Sequence, residues 1–232
     1  MSTKLKSITK GSQIMDQIFW ELLKLLNSGQ PATELSLAQF IKKRAKQLGA
    51  SGLAFPPIVS FGPNSAEIHH KPNKTRIGKN NFLMLDYGVK VNGYCSDFTR
   101  TLFLGRPQKI HEKIYNTVLR AQLAGLKLVK PEAECFRIDL AAREVIIEAG
   151  FGRHYNHHTG HAVGKKIHEP PSFSATSPST LSASRSPLIM TVEPGIYLPG
   201  RFGVRIEDMV LVSNKPKIFS KVPKDFKSMI VA

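Results

Sequence analysis

Leu83-Met84-Leu85-Asp86-Tyr87-Gly88-Val89-Lys90-Val91-Asn92-Gly93-Tyr94-Cys95-Ser96-Asp97-Phe98-Thr99-Arg100-Thr101 reads as two apolar, β-prone runs joined by Asn-Gly, the strongest short-range signal for a hairpin. With Asn92-Gly93 as a two-residue turn, Val91 faces Tyr94, Gly88 faces Asp97 and Asp86 faces Thr99. Asp86 and Asp97 then share one face as diagonal neighbours, with Cα atoms about 7–8 Å apart. Two acids so placed repel unless a cation lies between them, and a pair of metal ions about 3.5–4 Å apart meets that need. Two exposed acids on a solvated strand face fit the same spacing, so the hairpin permits a site without requiring one.

Upstream of the hairpin, Ile14, Ile18, Leu22, Leu25 and Leu26 fall at helical spacing and predict a helix from Gly11 to Asn27, stopped by Gly29 and Pro31. A second helix is predicted from Thr33, capped by Thr33-Glu34-Leu35-Ser36 and ended by Gly49. A strand, Ile58 to Phe61, and a loop with His69-His70 lead into the hairpin. Downstream the pattern repeats. Helices are predicted over about Gln108–Val129 and Phe136–Ala149, followed by a histidine-rich loop from His154 to His168 and two strands, Leu188 to Glu193 and about Val204 to Val212. Each half thus holds two helices, a histidine-bearing segment and a strand pair with two acids, which reads as an internal duplication. We expect an α/β fold in one domain over residues 1–232, with halves of about 11–105 and 106–215 and a basic tail over 213–232. The Ser-, Thr- and Pro-rich segment Ser172 to Pro187 reads as an exposed loop.

Composition narrows the class. The 232 residues suffice for one substantial core, and no apolar run reaches the ~18–20 residues of a membrane span. The start, Met1-Ser2-Thr3-Lys4-Leu5-Lys6, has no signal-peptide core. Two cysteines, Cys95 and Cys135, make no disulfide framework, so a reducing, cytoplasmic setting is expected. The net charge of +16 is spread along the chain without aromatic interleaving, which suits a solvated basic surface better than nucleic-acid binding.

Five residues across these segments, Asp86, Asp97, His161, Glu193 and Glu207, are good ligands for a divalent metal. In the last strand, alternation sets Val204, Ile206, Val210 and Val212 on one face and Arg205 with Glu207 on the other. Glu207 in such a run is costly to bury unless it pairs with Arg205 or binds metal. His154, His157, His158, His161 and His168 cluster with interleaved glycines that argue against a helix. Oxygen-rich ligation with one imidazole suits Mn²⁺, Co²⁺, Fe²⁺ or Zn²⁺ in a two-metal centre, and such a centre performs hydrolysis.

The pieces Asp86-Tyr87-Gly88, Gly93-Tyr94-x-Ser96-Asp97-x-Thr99-Arg100-Thr101, His157-x-Thr159-Gly160-His161-x-Val163-Gly164, His168-Glu169-Pro170-Pro171, Thr191-Val192-Glu193-Pro194-Gly195-Ile196-Tyr197 and Gly203-Val204-Arg205-Ile206-Glu207-Asp208 resemble the M24 metallopeptidases. Within them the chain is similar to the Xaa-Pro branch, aminopeptidase P and prolidase. The resemblance implies the pita-bread fold, a pseudo-twofold duplication of helices on a curved, mostly antiparallel sheet. It implies two divalent ions, Asp86 holding one, Asp97 and Glu207 bridging both, and His161 and Glu193 holding the second. By the same resemblance a bridging hydroxide attacks the scissile carbonyl and Glu193 shuttles its proton. His69, His157 and His168 match histidines that contact substrate and intermediate, and Arg205 matches an arginine that orients the carboxylates. Peptides are the implied substrates, cut at Xaa-Pro bonds, and a homodimer is an open expectation. Departures are His158 and Ala162 where the family usually has Gly, Pro187-Leu188 where it has Gly-Met, and the N-terminal domain that the Xaa-Pro enzymes usually carry. Methionine aminopeptidases share the five ligands but lack the signatures around Glu193 and Arg205, and a non-catalytic binding module would typically lose ligands.

Overall fold

The structure, a computed structural model, describes residues 2–182 and 187–231. Helix α1 spans Thr3–Asn27 and α2 spans Glu34–Gln47. Strands follow as β1 (Gly52–Leu53), β2 (Ile58–Phe61), β3 (Asn81–Asp86), β4 (Val89–Val91), β5 (Tyr94–Cys95) and β6 (Thr99–Leu104). Then come α3 (Lys109–Leu128) and α4 (Cys135–Glu148), and strands β7 (Gly160–Ala162), β8 (Glu169–Phe173), β9 (Ile189–Val192) and β10 (Gly195–Leu198). The last strands are β11 (Phe202–Arg205), β12 (Asp208–Leu211), β13 (Lys217–Ile218) and β14 (Ile230–Val231).

The hairpin forms with the expected register at both ends. Val91 pairs with Tyr94 across the turn, and Asp86 pairs with Thr99. Asn92 and Gly93 both take positive φ, 50° and 78°, as a two-residue turn matched to strand twist requires. Between these ends the ladder changes sheets. Gly88 lies so close to its partner that an added Cβ would fall 2.1 Å from the Ser96 carbonyl oxygen, so only glycine fits there. β4 and β5 join β1, whereas β3 and β6 belong to the order β14-β6-β3-β2.

The second sheet has the order β13-β12-β9-β7-β8, and all its pairs are antiparallel. Among the described residues an isolated bridge, Thr99 to Glu207, links its start to the first sheet. Helices α1 and α2 bury Ile8, Ile14, Ile18, Leu22, Leu37 and Ile41 with the first sheet, and α3 and α4 pack on one another and on the second half. This is the pita-bread arrangement of duplicated helices on a curved, mostly antiparallel sheet.

Four expectations are corrected. Helix α1 begins at Thr3, not Gly11, because Ser2 caps it by accepting from the Leu5 amide and Ile8 is already buried. The run Val204 to Val212 is two strands, not one. β11 pairs with β10 as a hairpin through Pro199-Gly200, while β12 pairs with β9, and the chain crosses between sheets at Ile206-Glu207. The segment from Ser172 is not wholly exposed: Ser172 and Phe173 end β8, Thr180 bridges to Glu134, and Leu181 is buried. Its residues 183–186 lie outside the described residues. The stretch read as a basic tail is folded in, with Val222, Phe226 and Met229 buried and β14 pairing in parallel with β6.

Arg100 fastens that C-terminal stretch to the centre. It is almost wholly buried and donates to Asp208 Oδ1, to the carbonyls of Thr99 and Glu207, and to those of Val222 and Pro223. Gln122 and Lys224 complete the shell of Asp208, and the carboxyl is held below its usual range: burial opposes this, and Arg100 and Lys224 outweigh it. Replacing Arg100 with Ala removes one of the two cations from buried Asp208, leaving Lys224 to meet its charge alone, and takes the donor from several carbonyls. The expected loss is about 3–5 kcal/mol, read as a lower denaturant midpoint with unchanged slope. A midpoint within error of the parent would show that the network carries no stability.

Candidate metal centre

Strand ends and sheet crossings bring the acids together. Asp86 is the last residue of β3, Asp97 lies between β5 and β6, Glu193 follows β9, and Glu207 sits at the crossing between β11 and β12. His161 lies in the middle of β7, its amide donating to Thr191 Oγ1 at 3.0 Å. One ligand atom each from Asp97, His161 and Glu207 lies within 4.8 Å of the others. His161 Nε2 is 3.2 Å from Glu193 Oε1 and 3.7 Å from Asp97 Oδ2. Asp86 stands beside this group, held by Arg205, whose Nη2 donates to Asp86 Oδ2.

Charge is crowded here. Burial pushes the Asp97 carboxyl well above its usual range, and the neighbouring Asp86 adds to it. Burial does the same to Glu207, reinforced by Asp97. Asp86 is also raised by burial, against the pull of Arg205. Burial would raise Glu193 too, but the hydrogen bond and charge of His161 carry it down to about 2. His161 moves the opposite way: burial alone would lower it, and Glu193 raises it to about 9. Two carboxylate oxygens, Asp86 Oδ1 and Glu207 Oε1, are buried with no hydrogen-bond partner among the described residues. Buried acceptors are rarely left so, and a carboxylate oxygen is a natural ligand for a hard or borderline cation. The donor set therefore fits divalent metal.

The cavity over this group measures about 660 Å³. Every residue to which the resemblance gives a role lines it: His69, Asp86, Asp97, His157, His161, His168, Glu193, Arg205 and Glu207, whereas His154 of the histidine cluster does not. Phe55, Ile58, Ile68, Ile167 and Pro170 supply an apolar wall, and His158 also borders it. The His161 and His168 rings meet edge to face, with centroids 4.4 Å apart. His70, beside His69 in sequence, is turned away from the cavity and bonded to Glu34 and Glu67.

Several participants were not singled out from the sequence. Tyr197 in β10 stands between Arg205 and His157, its hydroxyl 2.8 Å from Arg205 Nη1 and 2.8 Å from His157 Nε2. Burial lowers the His157 pKa to about 4, so its ring is neutral at pH 7. With Nδ1 donating to the His158 carbonyl, Nε2 is left as the acceptor of the Tyr197 hydroxyl proton. Thr99 Oγ1 donates to Glu207 Oε2 at 2.7 Å, and Thr191 Oγ1 to Glu193 Oε1 at 3.0 Å. From α4, buried Asp139 accepts from the amide and hydroxyl of Thr159 and from Arg143, which in turn donates to the His157 carbonyl. Asp139 could have been found: it falls on the stripe of Cys135, Ala142 and Ile146, where an acid is out of place.

The sequence profile of metallopeptidase family M24 matches residues 6–214. The chain is 36% identical over 212 residues to an uncharacterized peptidase of Staphylococcus aureus (strain USA300), covering 91% of this chain and 59% of that protein. The Xaa-Pro dipeptidase from Bacillus anthracis superimposes with a TM-score of 0.91 at 35% identity, covering 99% of this chain and 63% of that one. A dipeptidase from Pyrococcus horikoshii OT3 does so with a TM-score of 0.91 at 36% identity, covering all of this chain and 63% of that one. The chain thus spans about three-fifths of the length of the relatives it matches. It belongs to metallopeptidase family M24.

Proposed function

We propose that the chain is the catalytic part of a metal-dependent exopeptidase that removes an N-terminal residue, or splits a dipeptide, at Xaa-Pro bonds. The observation that carries this reading is the convergence of four acids and one imidazole on a single cavity, with two carboxylate oxygens buried and unpartnered. Asp86, Asp97, His161, Glu193 and Glu207 would hold two divalent ions, with Asp97 and Glu207 shared between them. When bound, such ions bring the pKa of a coordinated water towards neutrality and polarise a carbonyl.

The chain's own groups do the rest. Glu193, kept ionised, accepts the proton of the attacking water and returns it to the leaving nitrogen. Arg205 orients Asp86 and favours its charged form, and Thr99 and Thr191 orient Glu207 and Glu193. His69 and His168 face the substrate. His157, with both ring nitrogens engaged, steadies Tyr197. A proline after the scissile bond makes a tertiary amide with no N–H to read, so selection falls to ring shape, for which the wall of Phe55, Ile58, Ile68, Ile167 and Pro170 is suited. The likeness to the Bacillus anthracis Xaa-Pro dipeptidase supports the same choice.

Two outcomes are expected. Asp97→Ala and Glu207→Ala should lose both bound metal and hydrolysis, whereas His69→Ala and His168→Ala should keep metal and lose turnover by about 10²–10³-fold. Full metal occupancy in either acid variant would break the shared-ligand assignment. In a side-by-side assay of Ala-Pro-Ala, Ala-Pro and Met-Ala-Ser with Mn²⁺, Co²⁺ and Zn²⁺, the proline peptides should be cut faster. Faster release of Met would move the chain to the methionine aminopeptidases, and no hydrolysis with metal bound would point to a binding module.

A further inference from the structure

Glu34 opens α2, yet it is fully buried. Capping does not explain it, because Thr33 and Ser36 already satisfy the helix start by exchanging hydrogen bonds. The Glu34 carboxylate instead accepts four hydrogen bonds. Oε1 receives the Phe61 amide at 2.8 Å and Asn64 Nδ2 at 2.9 Å, and Oε2 receives His70 Nε2 at 2.8 Å and the Asn73 amide at 3.2 Å. Every donor lies in the stretch 61–73 that links β2 to β3. That stretch carries Ile68 and His69 to the cavity wall.

His70 is the centre of the contact. Its Nδ1 lies 2.9 Å from Glu67 Oε2, so a carboxylate meets each ring nitrogen. Both contacts are hydrogen bonds only when both nitrogens carry protons. Burial opposes that charge, but Glu67 and Glu34 outweigh it and raise the His70 pKa. The turn at 67–70 is also closed through the backbone, the His70 amide donating to the Glu67 carbonyl. Its two consecutive histidines therefore part ways: His70 goes into the buried pair and His69 to the cavity. The far side is braced too, with the Gly203 amide of β11 donating to Ser65 Oγ at 2.8 Å, two residues before Arg205.

We propose that Glu34 and His70 are positioning residues for the site, fixing the turn 67–70 so that His69 is held over the metal ligands. The activity readout rests on the exopeptidase reading above; the structural readout does not. The test takes Glu34→Gln and His70→Gln, each alone and each combined with His69→Ala, in the full chain. Gln at 34 keeps an acceptor oxygen but removes the charge that holds a doubly protonated His70. Each single variant should retain metal content and lose kcat/KM by roughly ten- to a hundredfold, as when a partner that orients a site residue is removed. On the His69→Ala background the same replacements should change kcat/KM by less than about twofold, because their effect passes through His69. Amide hydrogen exchange over 61–73 should quicken while that of β9 and β12 is unchanged. An equal fold loss with and without His69, or unchanged exchange over 61–73, overturns the proposal. Should the parent chain cut no peptide, the exopeptidase reading fails by itself, and the exchange measurement alone decides whether the pair holds the turn.

Discussion

Four carboxylates share one cavity, and the architecture around them answers their mutual repulsion. Asp86, Asp97, Glu193 and Glu207 stand against two cationic partners among the described residues, Arg205 and His161. Arg205 is committed to Asp86 and Tyr197, and His161 lies nearer to Glu193 than to Asp97. Asp97 and Glu207 are left as the acids most strongly pushed towards their neutral forms. Uncompensated charge in a low dielectric costs several kcal/mol per ion, so a divalent cation is the natural complement. The same excess of negative charge makes the site selective for cations.

Holding such a group needs backbone that cannot relax. The acids therefore sit where strands end or change sheets, fixed by hydrogen bonds from the chain crossing beside them. The Thr99–Glu207 bridge is the seam between the two sheets, and Thr99 uses its carbonyl, through the Glu207 amide, and its hydroxyl to hold that residue. Arg100, next in sequence, points the other way and pins the Glu207 carbonyl and the C-terminal stretch. A displacement at this seam would move Glu207 relative to the acids beside it. On the histidine side, Asp139, Arg143 and Thr159 tie the loop before β7 to α4, so a helix that does not line the cavity sets where His157 stands.

Much of this was legible from the chain itself, where local rules speak. Asn92-Gly93 and the flanking alternation located the hairpin and its register, because a two-residue turn leaves no freedom in pairing. The nine residues to which the resemblance gave a role at the site all line the cavity, while other motif residues, Arg100 and Asp208 among them, serve the framework behind it. What alternation could not show was a change of sheet within an apolar run. Val204, Ile206 and Val210 keep their period through Glu207, although the strand breaks there, since burial on both sides favours apolar residues alike. Glu34 read as a helix-start residue because its partners lie some 27 to 39 positions away. Tyr197 and Asp139 were missed for the same reason: their roles are set by tertiary partners, and only the misplacement of Asp139 on an apolar stripe marks it in advance. The C-terminal stretch read as a basic tail because its lysines outnumber the few residues, Val222, Phe226 and Met229, that anchor it.

The claim on which this account stands is that the folded chain holds a cluster of acids that divalent metal completes. It is tested most directly by thermal unfolding of chelator-stripped protein over a range of Mn²⁺ concentrations. A ligand that binds the folded state in preference to the unfolded one raises the midpoint progressively with its concentration. The account predicts that rise, and its absence when NaCl is added instead at matched ionic strength. A midpoint that stays the same from excess chelator to excess Mn²⁺ would contradict it.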